Sequence, residues 1–410
     1  MQTALPASRP EPTAEGDAAA ARWGPVLSLA GLHGAVSLAW VVYNLYLVQL
    51  LVRAGFDAYL ATVLLTVEGL AGAVLEPLMG SLSDRARTGL FRRIHLVLGG
   101  VLLASFLFVA LPIAASGARP GPATFLPTLL IAWACAMAVF RAPALSLLGR
   151  YARPGSLPLA ASVLTTAAGL VGAAAPAARG WLLSLGPLPT FTLASVALLV
   201  TALVVRTMDR RAGEPAEIGR DSPADPAASR AAWFLFLVGT SAGLAFRFLL
   251  DGLPRAGAGP GAPAPSILTA LFLGTAVAGI PLGRVALGRV GGGPVTAIGL
   301  AVLIAGVAVT PVLEGARAVL LAAALLGAAL AAVQNGRFSY SLSAVRVGRA
   351  GLGMGLLLGG SGLALGLFNV LFAVRKPAAA TSLMVAGGLY ALTLLLLRGV
   401  RAGTRGVARA

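Results

Sequence analysis

Residues 67–93 read VEGLAGAVLEPLMGSLSDRARTGLFRR, and the rest of the chain is best interpreted outward from this stretch. Its first part is apolar enough to lie in a bilayer, yet it carries two carboxylates, Glu68 and Glu76. It then breaks into a short segment rich in arginine, from Arg85 to Arg93. An apolar helix that carries acids and ends in a basic loop is typical of a membrane transport protein.

The composition excludes a soluble protein. Of the 410 residues, 58% are hydrophobic and only 11% are charged, and the mean hydropathy is +0.89, which far exceeds what a soluble core needs. Only helices and closed barrels satisfy the backbone in hydrocarbon, and the long apolar runs lack the alternation of barrel strands. The sequence therefore predicts an all-α, polytopic membrane protein.

The formal net charge of +17 is better explained by membrane topology than by nucleic-acid binding. The basic residues are almost all arginine and lie in short gaps between apolar runs, where they set orientation and meet anionic lipid headgroups. The one cysteine, Cys135, has no partner for an intrachain disulfide. Residues 1–24 hold no short apolar core beside a cleavage site, so we expect a disordered cytoplasmic tail.

Spanning helices are predicted from runs of about 20 apolar residues. Such runs number about twelve, which predicts twelve transmembrane helices. They cover 26–52, 58–82, 94–116, 125–148, 158–184, 188–207, 231–252, 266–288, 295–313, 317–337, 351–374 and 379–398.

The longest polar interruption, residues 206–230, follows the sixth run and mixes both charge signs with Pro and Gly. It predicts a linker between two six-helix bundles. The expected organisation is a tail at 1–24, a bundle at 25–207, a cytoplasmic linker at 208–230, a second bundle at 231–398 and a cytoplasmic tail at 399–410.

Arginine is unevenly distributed between the two sets of short loops. By the positive-inside rule the richer set is expected to be cytoplasmic, with both termini in the cytoplasm. The expected location is the plasma or inner membrane. The richer set carries Arg85, Arg87, Arg92, Arg93, Arg150, Arg153, Arg284, Arg289, Arg346 and Arg349.

The two halves share a weak repeat. Pro77 precedes Arg85 by the same interval by which Pro281 precedes Arg289, each in the second helix of its half. Paired repeats of this kind are how many transporters are built.

The segment Gly80-Ser81-Leu82-Ser83-Asp84-Arg85 resembles the G-x-L-x-D-R loop between helices 2 and 3 of the major facilitator superfamily, and the twelve-run layout extends the resemblance over the whole chain. It implies two six-helix bundles that alternate access to a central solute. It also implies that Gly80, Asp84 and Arg85, with Arg289 in the second half, act in conformational gating.

Two further segments resemble particular groups within that superfamily. Glu76-Pro77-Leu78-Met79-Gly80 is similar to the acid-Pro-x-x-Gly segment of sugar:cation symporters of the melibiose permease type, and Arg141-Ala-Pro143 is similar to an element of sucrose-type transporters. The second acid of the melibiose group would fall at Gly72. Its absence favours a proton over sodium as the coupling ion.

Glu68 and Glu76 are the first candidates for proton coupling, because a charge at bilayer depth costs roughly 3 kcal/mol unless a partner, water or a proton offsets it. Eight residues apart on a helix, they lie about 12 Å apart along its axis and roughly 80° apart around it. They therefore do not form one compact pair. The structural alternative is that each carboxylate is an ion-pair partner holding helix 2 to a neighbour.

A polar stripe on the first helix predicts a solute-binding face. His33, Ser37, Trp40 and Asn44 are spaced 4, 3 and 4 residues apart, and Tyr43 widens the stripe. An aromatic ring beside an amide suits stacking and hydrogen bonding to a solute. His33 is also a candidate for proton relay. The alternative is interhelical hydrogen bonding that only holds the bundle together.

Arg141 on the fourth helix is predicted to contact the solute. It reverses the charge at the position where melibiose permease has an acid, and its planar fork suits a carboxylate or phosphate group. The alternative is a salt bridge to Glu76, at similar depth. The two interpretations are compatible, because a pair that breaks when solute binds is a coupling device.

The second half offers fewer candidates. Gln334 is predicted to reach the cavity and Arg337 to follow the positive-inside bias, whereas Asn369 is predicted to make a helix–helix contact. Arg247 and Asp251, one turn apart, are predicted to form a structural pair.

The sequence thus favours a proton-coupled secondary transporter of a small hydrophilic solute, either sugar-like or an organic anion. The alternatives are proton-driven efflux of an amphipathic compound or lipid, and a non-transporting receptor or scaffold. We expect no enzyme, cofactor or metal site, because the sequence contains no HExxH and no Walker motif. The expected partners are the solute, the proton and the bilayer, with no nucleic acid, and the protein is expected to be a monomer.

Overall fold

The computed structural model describes residues 21–85, 93–116, 125–211, 226–258, 262–288, 291–344 and 349–407. Within them, twelve helices are long and apolar enough to cross a membrane, which confirms the predicted all-α, twelve-helix fold. They are α1 (Trp23–Arg53), α2 (Tyr59–Arg85), α3 (Arg93–Ala115), α4 (Phe125–Ser146), α5 (Leu157–Leu185), α6 (Pro187–Arg211), α7 (Pro226–Gly257), α8 (Ala264–Leu287), α9 (Gly292–Val309), α10 (Ala316–Ser343), α11 (Ala350–Leu371) and α12 (Ala379–Val407).

Several helices extend beyond the apolar runs that predicted them. On either side of the expected linker, α6 continues to Arg211 and α7 begins at Pro226, while α12 continues to Val407 in the expected C-terminal tail. Residues 212–225, the middle of the expected linker, lie outside the described residues, as do residues 1–20 of the expected N-terminal tail.

One consequence of the longer α6 is a buried polar cluster at its end. Asp209 is only 6% exposed. It accepts a hydrogen bond from the Tyr151 hydroxyl at 2.8 Å and pairs with Arg150 at 2.9 Å. Asp209 therefore ties the end of α6 to the turn of helix that follows α4, although the sequence analysis placed it in the linker.

Close packing of α2 against α11 joins the two halves. Glycines at four-residue spacing on α11, namely Gly351, Gly355 and Gly359, face α2. A Cβ atom on Gly359 would lie 2.8 Å from the ring of Pro77, and one on Gly351 would meet the Gly80 carbonyl. Only small residues allow two helix backbones to approach this closely.

A second close contact, between α5 and α8, joins the halves on the other side of the molecule. A Cβ on Gly169 would lie 2.8 Å from the Ala276 backbone nitrogen, and one on Gly172 would lie 2.6 Å from the Phe272 ring. Thr166 also donates a hydrogen bond across this contact, to the carbonyl of Ala276 at 3.3 Å. The two contacts leave a space between the halves at the centre of the molecule.

An aromatic core supports the first half beside this space. The Trp133 ring stacks on Tyr43 at 4.5 Å and on Phe108 at 4.7 Å, and Phe108 meets Phe191 at 4.4 Å. Trp40 packs edge-on against Trp133 at 5.0 Å. These large buried rings fix the position of α1 against α4, from which the polar residues of the site project.

Candidate solute cavity

A cavity with two lobes lies between the halves. The lobe that we call the deep lobe has a volume of about 260 Å³ and is lined by α1, α4, α7, α10 and α11. The lobe that we call the outer lobe has a volume of about 430 Å³ and is lined by α1, α2, α4, α7 and α11. Trp40, Arg141, Arg247 and Ser361 line both lobes, which makes the two lobes neighbours.

The cavity opens at one end of the molecule. The outer lobe reaches Lys376 in the α11–α12 connection, and 64% of that side chain is exposed. At the opposite end, Asp84 accepts hydrogen bonds from the backbone N–H groups of Gly351 (2.8 Å) and Leu352 (2.7 Å) and also pairs with Arg93. A carboxylate that caps the N-terminus of α11 is favoured by the helix dipole and holds the halves together at that end.

Of the four residues predicted to act in gating, two lie at the contact between α2 and α11. Gly80 and Asp84 both meet the first turn of α11, as described above. Arg85 ends α2 with an exposed side chain. Arg289 lies outside the described residues.

Glu76 and Arg141 form an ion pair on the wall of the outer lobe. Arg141 Nη2 lies 2.5 Å from Glu76 Oε1, and the side chain of Glu76 is only 2% exposed. Glu76 Oε2 is buried with no hydrogen-bond partner. The guanidinium of Arg141 also lies 5.8 Å from the centre of the Trp40 ring, within cation–π range. The pair is therefore accessible to a solute through Arg141, which borders both lobes.

Glu68 also lines the outer lobe, and its partner is a tyrosine rather than an arginine. The Tyr43 hydroxyl donates a hydrogen bond to Glu68 Oε1, and Glu68 Oε2 has no partner. Tyr43 was predicted to contact the solute, but it is fully buried against Trp133 and lines neither lobe. Its hydroxyl is used in the hydrogen bond to Glu68. The structure therefore assigns Tyr43 to the support of Glu68.

The remaining polar residues of α1 lie along the cavity. His33 and Ser37 line the deep lobe, Asn44 lines the outer lobe and Trp40 lines both. Ser37 donates to the His33 carbonyl at 2.9 Å, and Asn44 donates to the Trp40 carbonyl at 2.7 Å. His33 meets Phe338 of the second half edge-on at 5.9 Å. The predicted stripe thus faces the cavity, with two of its polar groups bonded to their own helix.

Arg337 was predicted to follow the positive-inside bias, but it lies in the wall of the deep lobe. It is only 7% exposed. Its guanidinium donates to Gln334 Oε1 at 3.1 Å and to Ser361 Oγ at 2.9 Å. Gln334 lines the same lobe, as predicted. Both partners are neutral, so the positive charge of Arg337 has no carboxylate beside it among the described residues.

Arg247 was predicted to pair with Asp251, and the structure shows a different pairing. Asp251 pairs with Arg255 and with Lys376 at 3.5 Å, and it accepts a hydrogen bond from Ser382 at 2.9 Å. Arg247 instead lines both lobes and makes no hydrogen bond or ion pair within the described part of the chain. Asp251 has an arginine four residues away on either side, Arg247 before it and Arg255 after it, and it pairs with Arg255.

The cavity therefore holds an excess of positive charge. Arg141 is balanced by Glu76, and Asp251 by the two cations outside the deep lobe. Arg247 and Arg337 remain without a carboxylate. A charge is tolerated at this depth only beside a partner or a cavity, and both arginines border the cavity. Its wall is suited to bind an anion.

The described residues contain no group of three His, Cys, Asp or Glu side chains that could hold a metal ion. The outer lobe also contains Asn369, which was predicted to make a helix–helix contact. Its Nδ2 is buried with no hydrogen-bond partner, so it is available to a bound molecule.

Comparison with known proteins gives a family and a fold. A family model described as the Major Facilitator Superfamily matches residues 29–369. No curated protein matches the chain in sequence.

Solved structures match over nearly the whole chain. A human organic anion transporter, MFSD10 (TETRAN), shares 15% identity at a TM-score of 0.67 and covers 91% of this chain and 99% of its own. A bacterial homologue of the iron transporter ferroportin in an outward-facing state shares 16% at 0.71, covering 92% and 99%. The transporter FucP in an outward conformation shares 15% at 0.64, covering 91% and 98%. At these identities the likeness shows the fold alone.

Proposed function

The chain belongs to the Major Facilitator Superfamily and is a transporter rather than an enzyme, and we propose that it moves a small organic anion across the membrane together with a proton, by alternating access. The observation that carries the proposal is the presence of Arg247 and Arg337 on the cavity wall with no carboxylate partner among the described residues. A neutral sugar would leave both charges uncompensated when it displaced the cavity water, whereas an anion would neutralise them.

Coupling to a proton follows from the Glu76–Arg141 pair. An anion that enters beside Arg141 competes with Glu76 for the guanidinium, and the buried carboxylate that is left alone costs about 3 kcal/mol at this depth. Proton uptake by Glu76 removes this cost, so the anion and the proton bind together. Glu68, bonded to Tyr43, and His33, in the deep lobe, are further candidates for the route of the proton.

The alternation is proposed to use the contact between Asp84 and the first turn of α11. With the arginine-rich loops in the cytoplasm, the closed end is cytoplasmic, and the cavity in this structure faces outward. Release of Asp84 from the N–H groups of Gly351 and Leu352 would let the halves rock apart at that end. The same orientation places both termini in the cytoplasm, and we propose that the protein works as a monomer in the plasma or inner membrane.

Uptake into proteoliposomes tests the proposal. Wild-type protein is compared with Glu76→Gln and Arg337→Gln, using a panel of radiolabelled organic anions and neutral sugars with and without an inside-alkaline pH gradient. We expect at least one anion to accumulate against its gradient. Glu76→Gln should still exchange that anion across the membrane but should not accumulate it, because exchange needs no net proton movement.

The control is Arg179→Gln, which removes an exposed arginine of α5 that lines neither lobe. Uptake of a neutral sugar without uptake of any anion would overturn the choice of solute. Accumulation that ignores the pH gradient would overturn the proton coupling. Unimpaired uptake of the anion by Arg337→Gln would remove Arg337 from the site.

A further inference from the structure

We infer that the transported anion carries two negative charges, a conclusion that rests on the proposed anion transport and makes it more specific. The inference comes from the charges on the cavity wall that have no ion-pair partner in the part of the chain that the structure describes. Arg141 is neutralised by Glu76, and Asp251 is already bound by two cations. Two positive charges then remain on the deep lobe, those of Arg247 and Arg337.

The two arginines come from different helices and are prepared differently for a ligand. Arg337 on α10 is held in place by Gln334 and Ser361, and its Nε is buried with no partner. Arg247 on α7 makes no polar contact within the described residues, so its whole guanidinium is available. Arg337 is thus held in a fixed position, whereas Arg247 is available to pair with a second negative charge of the ligand.

A monoanion would neutralise only one of these arginines and leave the other buried without a counter-charge. That uncompensated charge disfavours the loaded state of a monoanion relative to that of a dianion. The proton that enters with the anion adds the same positive charge for either ligand, so it does not alter this comparison. The cavity therefore favours a dianion over a monoanion, because a bound monoanion leaves one buried arginine without a negative partner.

The size and the walls of the deep lobe limit the dianion further. Its volume of about 260 Å³ is small beside the roughly 300 to 1,000 Å³ of sites for drug-sized ligands. Phe140, Phe246 and Phe338 form apolar walls between the polar groups. A short dicarboxylate or a small phosphate monoester fits this description, because both carry two negative charges on a compact frame.

The test compares anions matched in size but not in charge, in proteoliposomes at pH 7.5. The dicarboxylate arm uses succinate and its monomethyl ester, and the phosphate arm uses glycerol 3-phosphate and its phosphate methyl ester. We expect one of the two dianions to be transported with a kcat/KM at least about tenfold above that of its ester, and the arm that shows the difference identifies the anionic group.

Arg247→Gln provides the second measurement. The loss of one charged contact should raise the KM for the dianion about 30-fold or more, while the KM for the ester changes little. Arg247→Lys keeps the charge and should retain most of the preference, and Arg179→Gln is the control for loss of an arginine. Because the comparison of substrates uses wild-type protein, it stands even if a variant fails to fold.

The possible outcomes separate this inference from the proposed function. Equal transport of the dianion and its ester would overturn the inference and leave anion transport intact. Uptake of neutral solutes alone would overturn the proposed function itself. If no probe of either charge is transported and none raises the unfolding temperature of the purified protein, both are wrong.

Discussion

Removal of Arg141 should destabilise the protein more than removal of its partner Glu76. The two side chains form one ion pair, but they are not equally buried: 22% of Arg141 and 2% of Glu76 is exposed. Arg141→Gln leaves a carboxylate with two unpartnered oxygens in near-complete burial, because Oε2 already has no partner. Breaking a buried pair in this way costs about 3–5 kcal/mol.

Glu76→Gln should cost less. The guanidinium that remains keeps its contact with the Trp40 ring, and 22% of the Arg141 side chain is exposed. Both features offset the loss of the carboxylate, which brings the expected cost to about 1–2 kcal/mol. The double variant has no uncompensated charge and should be close to Glu76→Gln alone, which gives a coupling energy of about 3–5 kcal/mol in magnitude, the cost of Arg141→Gln itself.

Thermal unfolding of the detergent-purified protein, followed by tryptophan fluorescence, measures these differences. We expect Arg141→Gln to lower the unfolding temperature by on the order of 5 °C, and addition of Glu76→Gln to restore most of it. The most decisive comparison is between the unfolding temperatures of the two single variants, with that of Arg141→Gln expected to be the lower. Equal losses in the single variants, or a double variant whose loss is their sum, would refute the pairing and the burial argument.

Three further predictions concern α1 and α2. Gly80→Ala places a Cβ against the carbonyl of Gly351 and should lower the unfolding temperature. Gly72→Ala is the control, because a Cβ there meets nothing within 4 Å and should leave the unfolding temperature unchanged. Similar unfolding temperatures for the two variants would contradict the close packing of α2 on α11. Asp84→Asn should weaken the cap on α11 by about 1 kcal/mol. A cysteine introduced into the deep lobe should then be alkylated faster by a reagent added at the closed end of the molecule. An unchanged rate of labelling would contradict the role of Asp84 in closure. Tyr43→Phe leaves a buried carboxylate oxygen without its donor and should cost about 1–3 kcal/mol in unfolding, and an unaltered unfolding temperature would contradict that hydrogen bond.

Most of the fold was predictable because hydropathy reports bilayer insertion directly. An apolar run must be long enough to span, whatever it packs against, so the twelve runs matched twelve helices. The ends were less predictable, since a helix can continue into water with polar residues. Asp209 shows this: it follows the sixth run among charges and looks like a linker residue, yet Arg150 and Tyr151 bury it.

The positions of the first-half site residues were also predictable, because a polar side chain in an apolar helix must face protein or water. Trp40, Asn44, Glu76 and Arg141 all line the cavity. The burial of Tyr43 was not predictable, because 3.6-residue periodicity places it on the polar side of α1 without showing that Trp133 covers it.

The two cavity arginines of the second half were misread for a specific reason. Asp251 has Arg247 four residues before it and Arg255 four residues after it, so helical spacing allows either pair. The choice of Arg255 depends on the tertiary contacts of Lys376 and Ser382, which no local pattern contains. The position of Arg337 near the end of its apolar run likewise fits both a loop arginine and a cavity arginine.

One signal in the sequence went unused. Gly351, Gly355 and Gly359 recur at four-residue intervals in the eleventh apolar run, a spacing that predicts a close helix–helix contact. It does not identify the partner helix. The partner becomes evident only from α2, where Gly80 and Pro77 face these glycines.

The division of charge between the halves constrains how transport and coupling are linked. The first half contributes the acids, Glu68 and Glu76, and the second half contributes the unpaired arginines, Arg247 and Arg337. In the proposed mechanism, a proton bound to the first half and an anion bound to the second would not meet directly. Arg141 borders both lobes and is bound to Glu76, so it is the group through which an anion in the deep lobe would alter the charge beside the proposed proton site. On this argument a variant that loses Arg141 should separate anion binding from proton movement, whereas one that loses Arg247 should weaken anion binding and leave the ratio of protons to anions unchanged.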